Sequence, residues 1–355
     1  MHMLALLFLA LQMPSAVSPE PAGDAPFRAF TASSYWNTPA PADAPVDPAS
    51  ARIIEWLKND NKPDYVRIAG VKASGVWGSP IFWAKDGDPA YAVQEQERKG
   101  KKFKLPPEFA SLRIPKGARP DPTSDAEFAV YDLARGYVAH LWAAQYDPSV
   151  EAWSAGGGAI HYLESNGLDG AWTQFPDTDP RNCGHRGVPA PVMAVRLDEI
   201  QAGAVRHVLK VAVNTTKAAH VFPMVGDEHG TEADDAPPEG ARLRIKPSVD
   251  LAQRDLSPAA RAIAVALQQY GAVIGDQSGG PINLKVENTM AEGRGPLWEG
   301  VLTDDALASI PLDDYEILQL GYGENGPQGL TGAPPAKKES RRPTGERDRD
   351  SAGEP

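Results

Sequence analysis

The chain of 355 residues contains one cysteine, Cys183, so no internal disulfide forms and a cystine-stapled scaffold is excluded. It also lacks basic excess: 35 Lys and Arg stand against 47 Asp and Glu, a formal charge of -12. An acidic body repels phosphate backbones and anionic membranes, and no basic stripe is interleaved with aromatics, so no nucleic-acid partner is expected. No stretch approaches the roughly 18 consecutive apolar residues that a membrane-crossing helix needs. Standard chemical signatures are missing too: there is no G-x-S-x-G elbow, no Walker loop, no H-E-x-x-H and no CxxC. These absences imply no cofactor and no assigned metal ligand. No fixed-period repeat is present, which disfavours propellers and solenoids.

What is there is an ordinary apolar share, 42%, with 33 Gly and 34 Pro. That bounds a core-forming globular chain that turns often. Leu4 to Leu11 is a short apolar run followed by Ser15, Ala16 and Ser18, the pattern of an export signal over residues 1–18. A Pro/Ala-rich linker is expected over 19–26 and a single β-rich domain over 27–330. Residues 331–355 carry many charges and no apolar side chain larger than Ala, and read as a disordered tail. An exported chain with one thiol suits a bacterial secreted or periplasmic protein.

The interior reads mainly as β: Phe128 to Asp132, Tyr137 to Tyr146, Ala159 to Leu163, Arg206 to Val213 and Arg242 to Ile245 are β-branched or aromatic runs between turns. Short strands at turn-rich spacing predict a sandwich or jelly-roll-like fold with a few packed helices. The clearest helix is Ser257 to Tyr270, with Ser257 as its cap, Pro258 at its first turn and Gly271 at its stop. A second runs from about Ala51 to Lys58, capped by Ser50.

Five residues are candidates for acid and base chemistry. The stretch Val273 to Glu287 reads as a hairpin in which Asp276 and Glu287 approach one another, with Gln277 beside them to orient hydroxyl groups. Glycoside hydrolysis needs two carboxyl groups about 5 to 10 Å apart. Asp250, ahead of the strong helix, is a third carboxylate or a turn residue. His161 and His220 are second-tier acid–base candidates. His220 also stands in the cluster with Asp227, Glu228 and His229, whose spacing matches no metal signature. Asn166, His185 and Arg186 are candidate substrate contacts. Arg242, Arg244 and Lys246 alternate on one strand face, which either grips an acidic sugar or forms ordinary surface ion pairs. The triple glycine Gly156-Gly157-Gly158 reads as a tight turn. Of the eight Trp, Trp36, Trp77, Trp83, Trp153, Trp172 and Trp298 sit beside Gly, Pro, Asn or Ser near strand ends; most serve as core anchors, and one or two face a ligand.

The pattern IKPSVD, a helix, then YGAVIGDQSGG, together with FRAFTASSYWNTP and SNGLDG, resembles a group of exported bacterial proteins of actinobacterial type. The resemblance covers roughly residues 27 to 325 and implies export; it brings no catalytic residues. The expectation is therefore an exported carbohydrate-active enzyme, a glycoside hydrolase using paired carboxylates on a polysaccharide or oligosaccharide. A polysaccharide lyase and a non-catalytic glycan-binding β-sandwich protein are the alternatives. The acidic body favours a neutral glycan.

Overall fold

A computed structural model describes residues 26–72, 75–98, 101–102, 104–168 and 186–324. The fold is mainly β with few helices. In chain order, the strands of its two main sheets are β1 (Arg67–Ala69), β2 (Ile81–Trp83), β3 (Phe128–Asp132), β4 (Tyr137–Trp142), β5 (Gly157–Tyr162), β6 (Leu209–Val213), β7 (Arg242–Ile245), β8 (Ala272–Gln277), β9 (Asn283–Lys285) and β10 (Tyr315–Ile317). The helices are α1 (Ser50–Asp60), α2 (Leu197–Gln201) and α3 (Pro258–Gln269). Among the described residues, no helix is long and apolar enough to cross a membrane.

The larger sheet has six strands in the order β1-β9-β6-β8-β7-β10. It is mixed: β1 runs parallel to β9 and β6 parallel to β8, while the remaining pairs are antiparallel. The parallel partner of β6 is reached through α3, which lays Ala260, Ile263, Ala264 and Leu267 into the core. Burying Ile263 and Leu267 fully contributes about 1.5 to 3 kcal/mol each. The start of α3 follows its sequence signals: Ser257 Oγ accepts from the Ala260 N–H at 3.2 Å, and Gly271, at φ +70°, ends the run. Helix α1 differs in its cap. Ser50 lies inside the helix, and its hydroxyl accepts from the Ile317 N–H at 2.9 Å, fastening α1 to β10.

The second sheet has four strands in the order β5-β4-β3-β2. Both of its faces are covered. Ile81, Trp83, Ala129, Tyr131 and Val138 join the main core, whereas Phe82, Phe128, Val130, Leu141 and Ile160 join a smaller one with Phe109 and Trp153. That is why β3 reads as an unbroken apolar run rather than an alternating one.

The topology corrects the hairpin expected over Val273 to Glu287. Its two strands are β8 and β9, and β6 lies between them. A Ser-Gly-Gly-Pro turn links them, but the chain steps over one strand. Asp276 and Glu287 therefore do not face each other across a ladder.

Candidate functional site

A cleft of about 830 Å³ opens between the larger sheet and the outer end of the second. Asp276, Gln277 and Ser278 enter it from the end of β8, Asn283 and Lys285 from β9, and Lys210 from β6. His140 and Trp142 face it from β4, and Asp125 and Glu127 from the loop entering β3. Trp77 stands at its rim, 44% exposed.

Local chain geometry sets the carboxylates. Asp121, itself buried, accepts from the Glu127 N–H at 2.9 Å, and the Asp121 N–H donates to the Glu127 carbonyl at 2.8 Å. The intervening Ala126 takes φ +43°, a left-handed conformation that costs an alanine roughly 1–2 kcal/mol. The Ala143 and Ala144 N–H groups hold that turn by donating to the Asp125 and Ala126 carbonyls at 2.7 and 3.0 Å. A strained turn that its surroundings over-determine is a common support for functional groups.

The electrostatics separate two neighbours. Burial alone would raise the Glu127 carboxyl; the Lys285 ammonium and the His140 imidazole outweigh it and hold the group well below the usual carboxylate range. Lys285 Nζ donates to Glu127 Oε1 at 2.6 Å, and His140 Nε2 lies 3.4 Å from Oε2. Lys285 is in turn held above its ordinary value, against burial, by Glu127 first and then by Asp276 and Asp125. Asp125 moves the other way. Desolvation raises it, the charges of Glu127, Asp121 and Asp276 add to that, and Lys285 opposes. Asp276 accepts from Lys210 Nζ at 2.7 Å and from the Gln277 N–H at 3.0 Å. Among the described residues, the four Lys and Arg lining the cleft each have a carboxylate partner: Arg67 and Lys72 share Asp304, Lys210 holds Asp276, and Lys285 holds Glu127.

Of the expected site residues, Asp276 and Gln277 reach the cleft, as do Asn283 and Lys285 on the strand face read beside them. The other described ones are placed elsewhere. Glu287 is 3% exposed; it accepts from the Leu197 N–H at 2.8 Å and pairs with Arg294, which makes it an anchor between β9 and α2. Asp250 takes the turn role: its carboxylate accepts from the Ala252 N–H at 2.9 Å, outside the cleft. His161 is fully buried in β5, opposite Val138. His220 Nδ1 meets Asp227 Oδ2 at 3.0 Å near the surface, and His229 shares the same carboxylate at 3.4 Å. Among the described residues, no group of three or more His, Cys, Asp or Glu is arranged to hold a metal ion. Asn166 accepts from the Leu168 N–H at 2.9 Å and braces the loop under Trp36. Arg186 pairs with Glu228, whose side chain lines the cleft. His185 and Cys183 lie outside the described residues. Lys246 donates to the Asp313 carbonyl at 2.6 Å, while Arg242 and Arg244 are buried, Arg244 against Glu316 at 2.6 Å. Arg242 and Arg244 therefore act as internal clamps, while Lys246 stays near the surface.

Sequence reasoning missed Asp125 and Glu127. The signal was present as a turn-rich segment, DPTSDAEF, placing two carboxylates one residue apart just ahead of a strand. It also missed Lys210, His140 and Trp142, which are strand residues whose cleft-facing side only the sheet pairing defines. Compared with protein-family models, with curated proteins and with solved structures, the chain matches none of them. The site is therefore read from its own chemistry.

Proposed function

We propose that the cleft binds a neutral glycan and hydrolyses it. One observation carries the reading: Asp125 and Glu127 face one cleft, and their surroundings push them in opposite directions, Asp125 toward the protonated form and Glu127 toward the anion. Such a split is how one site provides an acid and a base from two like groups. Asp125 protonates the departing glycosidic oxygen. Glu127, ionised, activates water or attacks the sugar and stabilises positive charge at the reacting carbon. Asp276, steadied by Lys210, accepts from sugar hydroxyls. The aromatic rim at Trp77 supplies a ring face for an apolar sugar face.

The ion pairs favour hydrolysis over lyase chemistry. Elimination beside a uronate needs a cation to neutralise the substrate carboxylate, and among the described residues the lining Lys and Arg are already committed to Asp304, Asp276 and Glu127. Lys285, held as ammonium, is equally unsuited to covalent attack. Export belongs to the same proposal and rests on the apolar run at residues 4–11.

The test is reducing-end release from a panel of neutral and uronate polysaccharides by the wild type and by Asp125→Asn, Glu127→Gln and Asp276→Asn. Glu127→Gln and Asp125→Asn should each lower kcat about a hundred-fold or more, the share of a positioned acid or base. Asp276→Asn should act mainly on KM. Turnover unchanged in both Asp125→Asn and Glu127→Gln would remove the mechanism. Binding without turnover by the wild type would favour a glycan-binding module.

A further inference from the structure

The triple glycine is not a tight turn. Gly157 and Gly158 are the first two residues of β5, and their absent side chains are filled by aromatic rings on opposite faces of the sheet. A Cβ on Gly158 would lie 2.4 Å from Phe109 Cζ, in the small core. A Cβ on Gly157 would lie 2.3 Å from both Cε2 and Nε1 of Trp142, on the cleft face. Gly157 and Trp142 are direct partners across the β5–β4 ladder. The indole therefore lies down across its neighbouring strand instead of standing off the sheet, and it remains half-buried as a wall of the cleft.

The position of that wall matters. In the β3–β4 ladder Phe128 faces Leu141, so one step further Glu127 comes level with Trp142. His140, two residues back on the same face, holds Glu127 Oε2 through Nε2 and meets the indole with ring centroids 5.6 Å apart at 61°. Carboxylate, imidazole and indole thus form one continuous surface. A hexose ring offers an apolar C–H face of about the indole's width and carries its polar groups at the edge. Stacked on Trp142, it presents its edge, with the glycosidic oxygen, toward Glu127.

We infer that Trp142 is the stacking platform of the sugar subsite next to Glu127, and that Gly157 is the notch that lets the indole lie flat there. This rests on the glycan-cleaving reading above. Trp142 binds the sugar and Gly157 positions Trp142, so their substitution acts on substrate binding more than on the chemical step.

The experiment uses the full chain with cello-, manno-, xylo-, malto- and chitohexaose as probes. Cleavage is followed by chromatography, and binding by calorimetry on the Glu127→Gln variant. For Trp142→Ala and Gly157→Ala, KM for the cleaved hexasaccharide should rise about ten-fold or more while kcat changes by less than about three-fold. Trp142→Phe, which keeps a ring, should recover most of the affinity, and it carries the test if Gly157→Ala does not fold. KM within about two-fold of wild type in both Trp142→Ala and Gly157→Ala, with Glu127→Gln inactive, would overturn the platform and leave the hydrolase reading standing. Binding without cleavage by the wild type, abolished in Trp142→Ala, would keep the platform and remove the reaction. A wild type that neither binds nor cleaves any of the five would overturn both.

Discussion

Lys285→Met isolates the electrostatics on which the site depends. The ammonium lies 2.6 Å from Glu127 Oε1, with side-chain exposures of 26% and 13%. At an effective dielectric of about 20 the attraction at that separation is roughly 6 kcal/mol before desolvation is subtracted. Breaking a buried pair by removing one partner leaves an uncompensated charge and costs about 3–5 kcal/mol. Here both groups keep some solvent and His140 remains beside Glu127, so the lower end, about 3 kcal/mol at pH 7, is expected. The pH dependence makes the attribution specific. Because the folded Glu127 carboxyl is held below its unfolded value, its contribution is fully present above the unfolded pKa and is lost as pH falls through the folded one. Met at 285 removes most of that depression, so the gap between variant and wild type should close as the medium is acidified below the ordinary carboxylate range. Urea unfolding across pH measures it. A gap that stays constant with pH, or one under about 1 kcal/mol at pH 7, would refute the reasoning. Lys285→Met combined with Glu127→Gln should recover much of the lost stability, since no buried charge is then left over.

Three further outcomes follow from the same structure. The pH profile of kcat/KM on a cleaved glycan should be a bell whose acid limb is Glu127, depressed below the usual carboxylate range, and whose alkaline limb is Asp125, raised above it; Asp125→Asn should erase the alkaline limb in whatever activity remains. Gly158→Ala should destabilise by about 1–3 kcal/mol through overpacking against Phe109, read as a lower thermal midpoint, with the KM of folded protein unchanged. Glu292, buried beside Glu287 and accepting from the Ile81 N–H at 2.8 Å, is raised well above its ordinary value, first by desolvation and then by Glu287. Its favourable contribution is present below the unfolded pKa and is lost as pH rises through the folded one. Glu292→Gln, neutral at every pH, should therefore gain stability relative to wild type as pH rises, which unfolding curves at pH 5 and pH 8 will show.

The strands and the long helix were legible because their signals are local. The buried faces of β3 and β8 are apolar runs, and α3 announces itself through Ser257, Pro258 and Gly271. Pairing order is not local. Nothing in Val273 to Glu287 says that β6 inserts between its two strands, and that single insertion separates Asp276 from Glu287. The charged strand Arg242 to Lys246 misled for a related reason. Alternation suggested a solvated or ligand-facing edge, but β7 is covered on both sides, and its arginines are buried against Glu316 and backbone carbonyls. Asp276 and Gln277 were found because they follow an apolar strand directly. Asp125 and Glu127 were not, because their value depends on Lys285, which arrives from a strand far away in the chain, and on His140, whose facing toward Glu127 only the β3–β4 register defines.

The most direct test of the central claim is to digest the panel of neutral and uronate polysaccharides in oxygen-18 water and weigh the released oligosaccharides by mass spectrometry. Hydrolysis predicts products carrying one heavy oxygen, released by the wild type and absent with Glu127→Gln. Unlabelled, unsaturated products would mean elimination, and labelled products released equally by Glu127→Gln would mean that the cleft's chemistry lies in other residues.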